Sequence, residues 1–194
     1  MRSALLKPGK ERSLYKKHPW IFSGAIAFLP SIEPGECLKI CSSTQEFLGY
    51  GYFHPGLSLT GRVLSFDATP PLEAVFQHLQ QAIKRRAFLL PEQGRRLVNS
   101  EGDLLPGLIV DQYAEVLVIQ IQTAGMERLK AFIVEKLIEL LNPTSIYEKS
   151  TSSSRKKEGL AAREEFLFGP PIESTQIQEQ GIFYHVPITK GQKT

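Results

Sequence analysis

The chain has 194 residues, 42% hydrophobic and 22% charged, with a net charge of +3, an ordinary globular composition with room for one or two domains. It contains no run of roughly 18 apolar residues that would span a membrane, and its basic N-terminus lacks the apolar stretch of a secretory signal. Two cysteines, Cys37 and Cys41, make no disulfide framework or zinc spacing and fit a reducing, cytoplasmic setting.

Residues 1–69 read as mainly β. Short apolar runs at 20–26, 37–40, 47–53 and 57–66 are split by Pro30, Pro34-Gly35, Ser42-Ser43 and His54-Pro55-Gly56. Turns this closely spaced favour a small barrel. One helical turn is expected before His18-Pro19, because proline disfavours helix at the residue preceding it. Asp67 to Pro71 punctuates the chain and marks the start of a second unit, 70–188. Leu72, Val75, Phe76, Leu79, Ile83 and Ala87 then follow helical spacing. Strands are predicted at 96–100, 108–111 and 116–122, and a helix at 125–141 that Asn142-Pro143 stops. A strand at 145–148, a polar basic loop at 150–159 and a hairpin over 177–179 and 182–188 complete the pattern. In the hairpin, Ile182, Tyr184, Val186 and Ile188 alternate as in a half-buried strand. The expected fold is α+β: a β pseudo-barrel, then a mixed α/β unit of order β-β-β-α-β-β-β behind a leading helix.

Charge is unevenly placed. Arg2, Lys7, Lys10, Arg12, Lys16 and Lys17 face only Glu11 in the first 18 residues, so that segment carries +5. Beside these cations stand Tyr15, His18, Trp20 and Phe22. Phosphate-binding cations next to flat rings are how looped or single-stranded RNA is held. Trp20 and Phe22 are nevertheless assigned to the barrel core, with stacking as the alternative. The string Ser152-Ser153-Ser154-Arg155-Lys156-Lys157 is a second cationic element, fit for a flexible phosphate clamp or an interdomain contact. An ion pair through Glu158 carries little weight there, since exposed pairs contribute little. Gly102 to Gly107 resembles a phosphate loop only superficially, because it lacks the strand-to-helix setting and the Lys-Ser/Thr ending. Cys37 and Cys41 have no neighbouring base or cation to form a thiolate and read as structural thiols. His54, His78 and His185 are scattered and read as fillers.

Four strings, KPGKERSLYKKHPWIFSGAI, GYGYFHPGLSLTGRVLSFD, DLLPGLIVDQY and SIYEKSTSSSRKKEGL, occur in one order over almost the whole chain. Together they resemble the S-adenosylmethionine (SAM)-dependent 23S ribosomal RNA cytosine-5 methyltransferases that begin with a PUA domain. The resemblance implies a PUA-like RNA-binding domain at 1–69 and a central α/β domain at 70–188. Residues 189–194 would open the connection to a Rossmann-like methyltransferase domain that is absent from this chain, whether by truncation or by design. SAM and the catalytic cysteine would belong to that domain, so no cofactor is expected on this chain and no catalytic residue transfers. RNA contacts are implied at Arg12, Lys16, Lys17, Arg155, Lys156 and Lys157, with Lys10 and Arg62 as further candidates. Gly24 would permit close backbone approach, and Gln192 and Lys193 would border the cofactor cleft. Leu104 stands where the family often has a second glycine.

Two other readings compete. One is a free-standing PUA-containing RNA-binding module in ribosome assembly. The other is a scaffold that dimerises through its apolar helices; a homodimer is also compatible with the methyltransferase reading.

Overall fold

The structure is a computed structural model and describes residues 1–190. The N-terminal part consists of β1 (Ser3–Leu6), α1 (Arg12–Tyr15), β2 (Trp20–Phe22), a 3-10 turn (Ser23–Ala25), β3 (Ile26–Phe28), β4 (Glu36–Cys41), β5 (Phe47–Phe53) and β6 (Leu59–Ser65). These strands form one sheet in the order β2-β6-β5-β4-β1-β3, antiparallel except for β1 against β4. β2 and β3 are opposite edges of that sheet, yet only Ser23–Ala25 separate them. Each residue spans at most about 3.6 Å, so the sheet must curl until its edges nearly meet. Ala4, Leu6, Leu14, Ile21, Leu38, Ile40, Phe53 and Val63 fill the inside. The helical turn expected before His18-Pro19 is α1. β1 was not foreseen.

Asp67 links the two parts. Its carboxylate accepts hydrogen bonds from the Thr69 amide and the Ser65 hydroxyl, each at 2.8 Å. Hydrogen bonds from Thr69 and then Ser65 hold its carboxyl down to about 2. Next comes α2 (Pro71–Arg85), with proline in its first turn, Glu73 near the N-terminus, and Lys84 and Arg85 in its last turn. Both charge placements complement the helix dipole. Its buried stripe is Pro71, Ala74, Val75, Leu79 and Ala82. Leu72 is exposed and Ala87 lies beyond the helix end, contrary to the sequence reading.

The second sheet contains β7 (Arg95–Asn99), β8 (Leu108–Tyr113), β9 (Val116–Ile121), β10 (Ser145–Ser150) and β11 (Arg163–Phe168), in the order β11-β10-β9-β8-β7. β9 and β10 are parallel, so the chain needs a crossover, and α3 (Ala124–Leu141) supplies it. The Thr123 side chain caps α3 by accepting from the Met126 amide, and Asn142 ends it in a left-handed conformation. Met126, Leu129, Ile133 and Leu137 of α3 join Val75 and Leu79 of α2 over one sheet face. The apolar stripes of both helices are therefore used internally. The opposite face carries Val116, Val118 and Tyr147, covered by Ile188 and Val186. With both faces packed, β9 is buried along its whole length.

Two features depart from the expected order, and the expected hairpin at the end of the chain is present. Residues 153–157 form a short helix, α4 (Ser153–Lys157), and β11 is an additional strand. The last strands, β12 (Ser174–Glu179) and β13 (Ile182–Pro187), pair with each other as a separate two-stranded sheet. Ile182, Phe183 and Tyr184 at its tip are exposed, so the half-buried alternation expected there holds only toward Val186 and Ile188.

The two sheets meet at the N-terminus of α3. A Cβ on Gly125 would lie 2.2 Å from the Tyr52 ring, and one on Gly35 (φ +82°) 2.4 Å from the Ala124 carbonyl. Only glycine permits either approach. The buried Tyr52 hydroxyl donates to the Pro106 carbonyl at 2.6 Å and shares a hydrogen bond with the Thr123 hydroxyl at 3.0 Å. Arg128 donates to the Pro34 carbonyl at 2.7 Å. Among the described residues, no helix is long and apolar enough to cross a membrane.

Candidate nucleic-acid interface

β2 is a three-residue edge strand, and alternation lets only one of its side chains face the core. Ile21 takes that position at 2% exposure, which turns Trp20 (37%) and Phe22 (48%) outward. Their assignment to the barrel core is thereby corrected. His18, Trp20 and Phe22 meet edge to face, with ring centroids 5.8 and 6.3 Å apart. With Gly9, Lys10, Ser13, Gly24 and Ala25 they wall an open recess of about 510 Å³. Gly24 has free space where a Cβ would project and makes no close backbone contact, so the role expected of it is not seen.

The N-terminal cations are exposed but spread out. Lys10 borders the aromatic recess. Arg12 and Lys16 belong to α1 and its C-terminal end. Lys17 (φ 57°) turns toward a separate small recess shared with Asp67, His78 and Leu104.

On its other side Trp20 borders a second cleft of about 350 Å³, between the curled sheet and the central sheet. Leu57, Leu59 and Arg62 contribute from around β6, Ser100, Glu101 and Gly107 from the β7–β8 connection, Gln122 and Thr123 from before α3, and Lys157 and Glu158 from α4 and its end. The Trp20 indole N–H donates to a Glu101 carboxylate oxygen at 3.1 Å. One indole thus joins two recesses, one bearing Lys10 and the other Lys157.

The basic string of α4 divides. Arg155 is 1% exposed and donates to the Ile121 carbonyl at 2.9 Å, to Glu127 at 2.8 Å and to the Ala161 carbonyl at 2.5 Å. It is an internal rivet and cannot reach a phosphate in this fold. Lys156 and Lys157 remain exposed. Burial raises the Glu127 carboxyl, but hydrogen bonds from Arg155 and Lys130 outweigh it and the net shift is downward. Arg62 is largely engaged as well: its guanidinium lies 2.9 Å from Glu158 and 5.9 Å from the Tyr52 ring centroid. Glu158 is buried, not an exposed partner as the sequence suggested, and also accepts from the Ala124 amide at 3.1 Å, beside the N-cap of α3.

Glu101 was missed; the sequence showed only a turn there. That turn is tightly built. Ser100 adopts φ 50°, a conformation that costs a non-glycine residue about 1–3 kcal/mol. Its hydroxyl accepts from the Gly107 amide at 2.8 Å and donates to Glu101 at 2.5 Å. Buried Asp103 accepts from the Asn99 amide at 2.7 Å and from Arg86 at 2.9 Å. Leu104 is left-handed (φ 57°), a conformation glycine adopts freely.

The remaining candidates carry no chemistry. Burial pushes the Cys37 thiol up to about 11, against thiolate formation. Cys41 lines a separate open groove with Leu5, Phe28 and Phe47. Among the described residues no three His, Cys, Asp or Glu side chains are grouped to hold a metal. Ser100–Asp103 form a 3-10 turn ahead of β8, and the space beside Gly125, at the start of α3, is filled by Tyr52. The described residues therefore do not fit the glycine-rich strand-to-helix cradle of a nucleotide cofactor such as SAM. Gln192 and Lys193 lie outside the described residues.

Residues 5–66 match the family described as PUA-like domain. The chain is 38% identical over 197 residues to ribosomal RNA large subunit methyltransferase I of Shewanella denitrificans, covering 97% of this chain and 50% of that protein. The same-named protein of Aliivibrio fischeri is 38% identical over 199 residues, with 99% and 50% covered. Over the half that it spans, this chain is similar to proteins named as large-subunit ribosomal RNA methyltransferases, and its first third is similar to PUA-like domains. It spans about half the length of the curated relatives it matches. A structure from Streptococcus mutans, described as a SAM-dependent methyltransferase, shares the fold at TM-score 0.78 and 19% identity, covering 98% of this chain and 50% of that one. A crystal structure of a methyltransferase complexed with SAH gives 0.79 at 19% identity, with 99% and 49% covered.

Proposed function

We propose that this chain is the RNA-recognition half of a cytoplasmic, SAM-dependent large-subunit ribosomal RNA methyltransferase, with cytosine C5 of 23S RNA as the methyl acceptor. In this reading residues 1–69 are the PUA-like RNA-binding domain and 70–188 the central domain. Residues 189–194 lead toward a Rossmann-like methyltransferase domain that binds SAM and carries the catalytic cysteine. The chain holds RNA and does not catalyse alone. The observation that carries the reading is the exposed Trp20 group between two lysine-bearing recesses. An exposed ring offers a face to an unpaired base, and flanking lysines hold the phosphates on either side. Lys10, Arg12, Lys16, Lys17, Lys156 and Lys157 are the phosphate contacts, while Arg62 and Arg155 position the surface from within.

Binding to single-stranded segments of 23S ribosomal RNA across a salt series tests this. Each phosphate contact on a single strand contributes a slope of about −0.7 in log K against log salt. Lys156→Ala with Lys157→Ala should make the slope shallower by about 1.4 if both lysines touch phosphate. An unchanged slope removes α4 from the interface. SAM binding by this chain would overturn the placement of the cofactor elsewhere.

A further inference from the structure

We propose that the cleft beside Trp20 is a base pocket selective for guanine in single-stranded RNA, an inference that rests on the RNA-binding reading above. Its volume, about 350 Å³, lies near the low end of the ~300–1,000 Å³ found for small-molecule sites and suits one extruded base. Trp20 supplies a flat wall, Leu57 and Leu59 add apolar lining, and Glu101 supplies a carboxylate.

The carboxylate decides the base. Trp20 donates to one Glu101 oxygen and Ser100 to the other, so each oxygen keeps acceptor capacity. Guanine is the standard base with two adjacent donors, N1–H and N2–H, on its Watson–Crick edge. Two parallel donors match two carboxylate oxygens, and bonds to an ionised acceptor are the stronger kind. Adenine and cytosine each place a ring-nitrogen acceptor beside a single amino donor, which sets lone pair against lone pair at the second oxygen. Uracil offers one N–H between two carbonyl oxygens. The acceptor is also preorganised: the left-handed Ser100 is held by the Gly107 amide at 2.8 Å and the Leu105 amide at 3.1 Å. Lys157 lines the same cleft and can neutralise a phosphate next to the bound guanine. Gln122, also in the lining, brings an amide donor for the guanine O6 side.

The test uses short oligouridine strands carrying one central guanine, adenine, cytosine or uridine. Trp20 is the single tryptophan of the chain, so its fluorescence reports stacking directly, and anisotropy of a labelled strand gives affinity. The guanine strand should bind about tenfold tighter than the others, with the deepest Trp20 quenching. Glu101→Gln keeps a carbonyl acceptor for the indole but removes one of the two oxygens, and the guanine-to-uridine affinity ratio should fall to near one. Glu101→Asp keeps the charge but withdraws it from the cleft and should give the same loss, which separates geometry from charge. Binding of all four strands with equal affinity to the unaltered chain overturns the guanine pocket while leaving the RNA-binding reading in place. A tenfold ratio that survives Glu101→Gln overturns the role of Glu101. Failure to bind any strand overturns the RNA-binding reading and the pocket with it.

Discussion

Replacing Arg155 separates a structural cation from its exposed neighbours. Its guanidinium lies 2.8 Å from Glu127 and 3.8 Å from Glu148, whose side chain is fully buried. Arg155→Ala leaves those two carboxylates to share Lys130, which is 2.9 Å from both. Removing one partner of a buried ion pair costs about 3–5 kcal/mol. Because Lys130 still compensates, the lower value of about 3 kcal/mol is the appropriate one. With a urea dependence near 2 kcal/mol/M, the unfolding midpoint should fall by about 1.5 M. Lys156→Ala, at an exposed position, should stay within about 0.5 kcal/mol of the parent. Urea titration followed by circular dichroism and Trp20 emission measures both variants. Arg155→Lys should fall between them, since a single ammonium cannot replace the fork that bonds two carbonyls and a carboxylate at once. If Arg155→Ala leaves the midpoint within about 0.3 M of the parent and lowers RNA affinity instead, Arg155 is a phosphate contact and the rivet is refuted.

Gly125→Ala should destabilise the chain, because its Cβ would sit 2.2 Å from the buried Tyr52 ring. Overpacking costs about 1–3 kcal/mol against a helix-propensity gain of at most about 1. Thermal unfolding should show a melting temperature lower by several degrees, and an equal or higher one would contradict the close packing. Acid sensitivity should depend on Asp67. Its folded pKa of about 2 lies below the ordinary value near 3.9, so its contribution is present above about pH 4 and is lost as pH falls toward 2. Asp67→Asn should flatten the stability profile in that window, and an unchanged acid slope would show that the Thr69 and Ser65 hydrogen bonds contribute nothing.

α3 was legible because its apolar spacing persists over 18 residues and Asn142-Pro143 ends it. The strands of the curled sheet were legible as short apolar runs between turn residues. Trp20 and Phe22 were placed on the wrong side for a physical reason. A run of three apolar residues has no phase, and only the pairing of Ile21 with Gly61 decides which side faces in. β11 escaped notice because its first half, Arg163 to Glu165, is charged and exposed, as edge strands often are. The burial of Arg155 is set by Glu127 and Ile121, which a local reading of three adjacent cations does not contain.

The five residues of α4 and the glutamate after it explain how a basic loop becomes a rigid surface. Successive residues of a helix point about 100° apart, so a turn that directs Arg155 inward directs Lys156 and Lys157 outward. Arg155 fixes the turn to the central sheet through Ile121 and to α3 through Glu127. Glu158 fixes the same turn to the first amide of α3 and, through Arg62, to β6 of the curled sheet. Holding the lysines in place beforehand would reduce the ordering cost of the proposed RNA binding. If the proposed surface binds RNA, Glu158→Gln should lower its affinity although Glu158 faces no phosphate, because the change weakens the hold on α4 and leaves Arg62 without its carboxylate. The exposed cations proposed to meet RNA and the buried charges that hold them are interleaved in one string, and burial alone tells them apart.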